Sequence, residues 1–261
     1  MSIHPTALVS DQASISTEAE IGPFCVIAGE VEVGAHTVVE SHVRLGSRFG
    51  EVIIGERNHI QSGAVLGGPP QHRDYSDGYT RLVIGHHNRF GEGATVNLGS
   101  RAGGGVTSVG NRAFIMAGVH VGHDCQIADE AVLTNLTQLA GHVQVQQKAV
   151  VGGMVAVTQH VRIGELAFVA ARASVNKDIL PYTVADGRWA APRAVNKVGL
   201  RRAGVSAEAL RNIRRAVRHL LNTSLTVDDA LKAVHEQCEP DEWIRCLTTF
   251  AAHSRQGLAR A

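Results

Sequence analysis

Counting along the chain from Val109 in steps of six meets only aliphatic residues: Val109, Ile115, Val121, Ile127, Leu133, Leu139, Val145, Val151, Val157, Ile163, Val169 and Val175. The same step holds earlier, through Ile3, Val9, Ile15, Ile21, Ile27, Val33, Val39 and Leu45, then Ile54, Ile60 and Leu66, then Ile84, Phe90 and Val96. The fifth place of each hexad is also restricted and mostly smaller, from Ala113, Val119 and Cys125 to Ala167, Ala173 and Ile179. A period of six fits neither an amphipathic helix nor a simple alternating strand. Two inward positions per hexad describe a short strand followed by a corner. Three such sides close one coil of a triangular prism, about eighteen residues long. The pattern predicts an all-β parallel β-helix over residues 1–190, with Cys25 and Cys125 as filler in its narrow core.

Two stretches break the phase. Residues 67–81 ("GGPPQHRDYSDGYTR") put Pro, Gly and polar residues where inward aliphatics belong, and residues 98–108 ("LGSRAGGGVTS") shift the register by one. Both read as loops leaving a rigid scaffold, where function often resides. Beyond Val175 the hexads fade, and residues 191–261 read as a small α-helical C-terminal domain. In "SAEALRNIRRAVRHLLN" the apolar residues Leu210, Ile213, Val217, Leu220 and Leu221 recur at helical spacing, with Ser206 as N-cap. Two more helices follow, in "TVDDALKAVHEQC" and "DEWIRCLTTFAAHS".

Composition narrows the function classes. A formal net charge of +1 over 261 residues gives no global reason to expect nucleic acid as partner. No apolar run is long enough for a membrane span, and the N-terminus lacks the charged and apolar regions of a signal peptide. The expectation is a cytoplasmic protein without membrane insertion. Its four cysteines form no CxxC pair.

The candidate chemistry lies in "GVHVGHDCQIADEAVLTNLTQLAGH", which carries His120, His123 and His142. None of the three takes an inward hexad position, so they line an outer edge of the prism. Coil stacking places His123, Gly141 and Gln159 in one column and Asp124, His142 and His160 in the next, with roughly 4.8 Å between coils. Three readings fit such a patch. Solvated surface histidines are the plainest. A metal site is the second, although no HxxxxH ligand pair is evident in these coils. The third is acid–base catalysis: His123 as a base oriented by Asp124, with the Gly141 N–H free to stabilise an oxyanion.

At "GHDCQIADEAVLTNLTQLAGHV", "VGGMVAVTQHVRIG" and "VNKVGLRRAG" the chain resembles the acyl-[acyl-carrier-protein]–UDP-N-acetylglucosamine O-acyltransferases of lipid A synthesis, a branch of the hexapeptide-repeat acyltransferases. The resemblance runs over nearly the whole chain. It implies left-handed coils, a homotrimer with active sites at subunit interfaces, and transfer of a 3-hydroxyacyl group to the glucosamine 3-hydroxyl with no cofactor and no metal. It further implies His123 as general base, Asp124 beside it and Gly141 as oxyanion donor. His120, His142, Gln159 and Gln71 would hold sugar and acyl groups, and Asn196 and Arg202 the UDP part. This chain departs from the family at several places. Thr158 stands where a histidine is usual, Asp74 where a lysine is, and Asn97 to Ser100 ("NLGS") replace "HRGT". Val198 replaces an acidic residue and Ala203 an arginine, while Tyr75 is kept. These departures touch the choice of nucleotide sugar more than the reaction. A paralogue acting on another nucleotide sugar, by O- or N-acylation, and a non-catalytic scaffold remain as alternatives.

Two further expectations follow from the resemblance. Ala171 and Trp189 stand where the family's longer-chain enzymes carry Gly and His at the far end of the acyl groove. Their added bulk implies shorter acyl groups, about ten to twelve carbons rather than fourteen. Arg211, Arg214, Arg215 and Arg218 share one face of the first long tail helix. Solvated surface is the plainest reading of such a stripe; the resemblance implies an acidic acyl carrier protein as the partner it would steer.

Overall fold

Each hexad folds as a two-residue strand and a four-residue corner, as in His120–Val121, Gln126–Ile127 and Val132–Leu133. The computed structural model describes residues 2–72 and 79–260. Successive strands belong in turn to three different sheets, which form the three faces of a prism. Face 1 runs from Ser2–Ile3 to Ala191–Val195, face 2 from Leu8–Val9 to Ser174–Val175, and face 3 from Ser14–Ile15 to Arg162–Ile163. All pairings between coils are parallel, and the register is eighteen residues: His120 lies beside Gln138, and Gln138 beside Ala156. The final pairing, Thr183–Asp186 with Ala191–Val195, is antiparallel and ends the stack on face 1.

The first hexad residue points inward from the strand, and the fifth points inward from the corner. Both sets form one continuous core, with Val121, Cys125, Ile127 and Ala131 fully buried. Each buried Val, Leu or Ile contributes about 1.5–3 kcal/mol relative to exposure. Burial pushes the Cys125 thiol up to about 12, and its Sγ–H donates to the Ala140 carbonyl. Such a thiol is inert filler.

The corner has a demand that the hydrophobic pattern does not show. Its third residue is left-handed at Asp124, Glu130, Leu136, His142, Lys148, Met154, His160, Leu166 and Arg172, with φ between 52° and 65°. None of these is glycine, although this conformation costs non-glycine residues free energy. Cooperative stacking of identical corners offsets that cost along the coil.

Insertions widen the coil register locally. Val33 pairs with Ile54 across three extra residues near 46–50, where Ser47 bridges Gly50, and Ile54 pairs with Ile84 across the first loop. Ile84 pairs with Val109 across the second. That second loop holds a short 3₁₀ turn, Arg101–Gly103, capped by the Ser100 hydroxyl.

Four helices follow the prism: α1 (Lys197–Arg202), α2 (Ala207–Leu220), α3 (Val227–Gln237) and α4 (Glu242–Ala252). Ser206, Thr226 and Asp241 cap the last three through side-chain oxygens, satisfying N–H groups that have no partner within the helix. Their apolar faces meet a second core around Tyr182, Leu200, Ile213, Leu220, Leu247 and Phe250. Arg162 ties prism to tail: its guanidinium lies 3.9 Å from the Phe250 ring centroid and donates to the carbonyls of Phe250 and His253. No helix among the described residues is long and apolar enough to cross a membrane.

Candidate active site

The corner between faces 2 and 3 separates its two outer columns. His123, Gly141 and Gln159 line a cavity of about 550 Å³ on the face 2 side, together with His120, Gln71, Thr158 and Trp189. Asp124, His142 and His160 line a different groove, of about 900 Å³, on the face 3 side. His142 is therefore across the corner from His120 and Gln159 rather than in one pocket with them.

His123 is only 3% exposed, so it is not a solvated edge histidine. Its Nδ1 lies 2.8 Å from Asp124 Oδ2. The carboxylate is itself fixed by the loop at 98–108: Ser100 donates its N–H to Oδ1 at 2.8 Å and its hydroxyl to Oδ2 at 2.6 Å. The Asp124 N–H donates to Thr107 Oγ1 at 2.7 Å, which holds the left-handed residue in place. A carboxylate accepting the Nδ1 proton leaves Nε2 as the basic nitrogen.

Close packing leaves no free room for a side chain at two glycines here. A Cβ on Gly141 would stand 2.5 Å from His123 Cε1 and 2.6 Å from Nε2. The imidazole thus lies directly against the Gly141 backbone. A Cβ on Gly103 would stand 2.2 Å from Asp124 Oδ2 and 2.5 Å from His142 Cε1. The 3₁₀ turn roofs the dyad as a glycine-thin layer. The Gly141 carbonyl accepts from His160 N–H, while its own N–H donates to no described residue.

The other imidazoles surround the dyad. His120 Nδ1 is 2.8 Å from Thr95 Oγ1, and burial, with His123 nearby, holds its pKa below the usual range. His142 meets the His123 ring edge-on at 5.1 Å and stacks on His160 at 4.3 Å. Its pKa is lowered, chiefly by burial and against the pull of Asp124. The donor atoms of His123, Asp124 and His142 lie within 4.8 Å of one another, the one potential metal-ligating cluster among the described residues. Both Asp124 oxygens, however, already accept from Ser100 or His123.

The remaining candidates divide. Gln71 and Trp189 line the face 2 cavity, and Trp189 is 61% exposed at the end of that face. Ala171 is exposed and does not line it. Asn196 caps α1 by accepting from Gly199 N–H and donates to the Leu166 carbonyl. Arg202 is exposed on α1. Neither lines the cavity with His123. Arg211, Arg214, Arg215 and Arg218 are all exposed, but Arg215 donates to the Gln237 carbonyl. Arg214 and Arg218 instead join Arg193 and Lys197 around a cavity of about 340 Å³. Asp74 and Tyr75 lie outside the described residues.

Sequence reasoning missed three contributors. His72, next to Gln71, meets the His123 ring edge-on at 5.9 Å. Ser100 and Thr107 hold Asp124 from the second loop. Only the loop's position, one coil before His123, hinted at them.

Comparison with known proteins agrees with this architecture. Residues 178–259 match the profile of Udp N-acetylglucosamine O-acyltransferase, domain 2. The UDP-N-acetylglucosamine acyltransferase structure of Francisella novicida superposes with a TM-score of 0.95 at 35% identity, over 99% of this chain and 94% of that one. The LpxA structure of Moraxella catarrhalis does so with 0.95 at 35% over all of both chains. A coil of opposite hand could not superpose so closely, so the β-helix has the hand of those relatives. The enzyme of Halorhodospira halophila is 39% identical over 99% of both chains, and that of Thermodesulfovibrio yellowstonii 38% over the same share. At that identity over its full length, the chain belongs to the acyl-[acyl-carrier-protein]–UDP-N-acetylglucosamine O-acyltransferase family.

Proposed function

We propose that the protein transfers a 3-hydroxyacyl group from acyl carrier protein to the 3-hydroxyl of UDP-N-acetylglucosamine, the first step of lipid A synthesis, in the cytoplasm. The observation that carries this reading is the His123–Asp124 dyad set against the bare Gly141 backbone, at the head of a cavity that runs to Trp189. His123 Nε2 takes the proton of the acceptor hydroxyl as that oxygen attacks the thioester carbonyl. The oxyanion that forms accepts from the Gly141 N–H, and Asp124 stabilises the imidazolium. Collapse of the adduct breaks the carbon–sulfur bond, and the departing thiolate takes the proton from His123. Every proton is accounted for without a metal or cofactor.

A trimer completes the reading. Face 1 carries an outward apolar stripe of Phe114, Val132, Val150 and Phe168, beside the exposed corner residues Leu136 and Met154. Such a stripe suits burial against another copy, and a neighbour laid on face 2 would close the acyl cavity. Asn196 and Arg202, which do not reach this protomer's cavity, would then serve the neighbouring one. The cations around Arg214 and Arg218 would steer the acidic carrier protein. Reversing both to Glu should raise the KM for carrier protein, weaken its salt dependence and leave the KM for nucleotide sugar in place.

The direct test is incubation with a panel of UDP-sugars and 3-hydroxyacyl carrier proteins, read by mass spectrometry. Acylated UDP-N-acetylglucosamine is expected, and His123→Ala should cut its formation by about 10²–10⁴. Product from a different UDP-sugar alone would overturn the acceptor assignment. Full activity in the alanine variant would overturn the mechanism.

A further inference from the structure

We propose that a cavity near the N-terminal end of the prism binds a nucleoside phosphate, with Arg44 and Arg48 on the phosphate and Tyr79 against the base. The cavity measures about 580 Å³, within the usual range for a small-molecule site. It lies on the edge between faces 2 and 3, as His123 does, but shares no lining residue with either cavity beside His123. The proposal is therefore independent of the acyl-transfer reading.

An insertion builds this cavity. The three extra residues near 46–50 widen the coil, and Arg48 and Phe49 form the turn between Ser47 and its bridge partner Gly50. The Ser47 hydroxyl donates to the Gly67 carbonyl at 2.8 Å, which ties the insertion to the start of the first loop. Tyr79, near the other end of that loop, lines the same cavity.

The charges favour an anion. Two guanidiniums, those of Arg44 and Arg48, and one carboxylate, that of Glu30, line the cavity. Glu30 accepts from the Tyr79 hydroxyl, and that bond pushes the phenol up to about 12, so the ring stays neutral. Glu51, beside Gly50, is already paired with Arg81 at 3.0 Å. Among the described residues neither Arg44 nor Arg48 makes an ion pair. A guanidinium offers the planar fork of donors that phosphate oxygens accept. Flat surface is present beside the charge: the Arg48 guanidinium lies 4.9 Å from the Phe49 ring centroid, and Tyr79 is 59% exposed. Aromatic rings and guanidinium planes stack on nucleobases, and the Gln12 amide can both donate and accept at a base edge. Inorganic phosphate would leave the rings unused, and an apolar ligand would leave both cations unmet. A nucleoside phosphate satisfies both.

The test is calorimetric titration of the whole protein with ADP, adenosine and pyrophosphate, with and without excess UDP-N-acetylglucosamine. One ADP should bind per protomer, about tenfold or more tighter than either adenosine or pyrophosphate. Arg44→Ala and Arg48→Ala should each weaken ADP by about tenfold and leave adenosine within about twofold. Tyr79→Ala should weaken ADP and adenosine together by about tenfold and leave pyrophosphate in place. Excess UDP-N-acetylglucosamine should not displace ADP. Pyrophosphate binding as tightly as ADP overturns the nucleoside assignment, and displacement by UDP-N-acetylglucosamine gives the binding to the acceptor site instead. Absence of binding at millimolar ADP overturns the site outright. If a neighbouring copy fills the cavity, ADP will not bind and Arg48→Glu will shift the oligomeric state in sedimentation, which also refutes the proposal. Arg44, Arg48 and Tyr79 are exposed, so their loss should leave the fold intact, and a thermal melt checks this.

Discussion

Replacing Gly141 by alanine adds one methyl group at the tightest point of the site. That Cβ would stand 2.5 Å from His123 Cε1 and 2.6 Å from Nε2, whereas carbon atoms rest about 3.5–4.0 Å apart. The ring must retreat by about 1 Å, and a misplacement of that size costs on the order of 10²-fold in rate. Retreat is opposed by the 2.8 Å bond to Asp124, which the two Ser100 bonds hold in turn. Alanine keeps the backbone N–H, so the loss would report on the position of the base and not on the oxyanion donor. Gly141 is not left-handed, so alanine suits its backbone and gains about 0.4–1 kcal/mol by restricting the unfolded chain. Steady-state kinetics with acyl carrier protein and UDP-N-acetylglucosamine, beside a thermal melt, measure both consequences. The expected result is a kcat lower by about 100-fold with a melting temperature within a few degrees of wild type. Turnover above about a third of wild type would refute the claim that this contact positions the base. A large fall in melting temperature would move the effect from catalysis to packing.

Ser100→Ala removes a hydroxyl from a buried carboxylate, so it should destabilise the fold by about 1.5–3 kcal/mol and lower kcat, measured by denaturation and kinetics. For His120 the native pKa lies below the ordinary imidazole value of about 6.5 because burial disfavours the charged ring. The unfolded chain therefore binds the extra proton, and stability present above pH 6.5 is lost as pH falls through it. His120→Gln should flatten that acid limb in melts taken between about pH 7 and pH 5. Trp189 lines the face 2 cavity; on the proposed reading, in which this cavity takes the acyl chain, wild type should favour donors of about ten to twelve carbons over fourteen, by roughly ten- to two-hundred-fold. Competition assays with Trp189→His should shift the preference toward the longer chain, and an unmoved preference would remove Trp189 as the stop.

The prism was legible because a repeating core converts sequence spacing into distance. Residues eighteen apart share a column, which is why His123, Gly141 and Gln159 could be aligned from the chain alone. The same rule says nothing about insertions. The loop at 98–108 spoils the count between Ile84 and Val109, and it is this loop that brings Ser100 and Thr107 onto Asp124. Hydrophobic periodicity also carries no sign of the left-handed corner residue, because no glycine marks it at Asp124, His142 or His160. The sequence placed Asp124 beside His123 as the residue that orients it, but not the left-handed backbone at Asp124, where the carboxylate lies 2.8 Å from the ring.

The inverted corner also explains why one histidine cluster serves two cavities. Consecutive corner residues, one in ordinary and one in left-handed conformation, send His123 and Asp124 toward different faces while keeping their side chains 2.8 Å apart. The next coil repeats the division with Gly141 and His142, and the next with Gln159 and His160. His123 and Asp124 straddle the edge and so border both cavities at once. On a flat strand consecutive side chains point to opposite faces, so His123 and Asp124 could not meet at 2.8 Å. A proline in place of Asp124 or His142 could not adopt the positive φ, so it would destroy the division before it affected the chemistry.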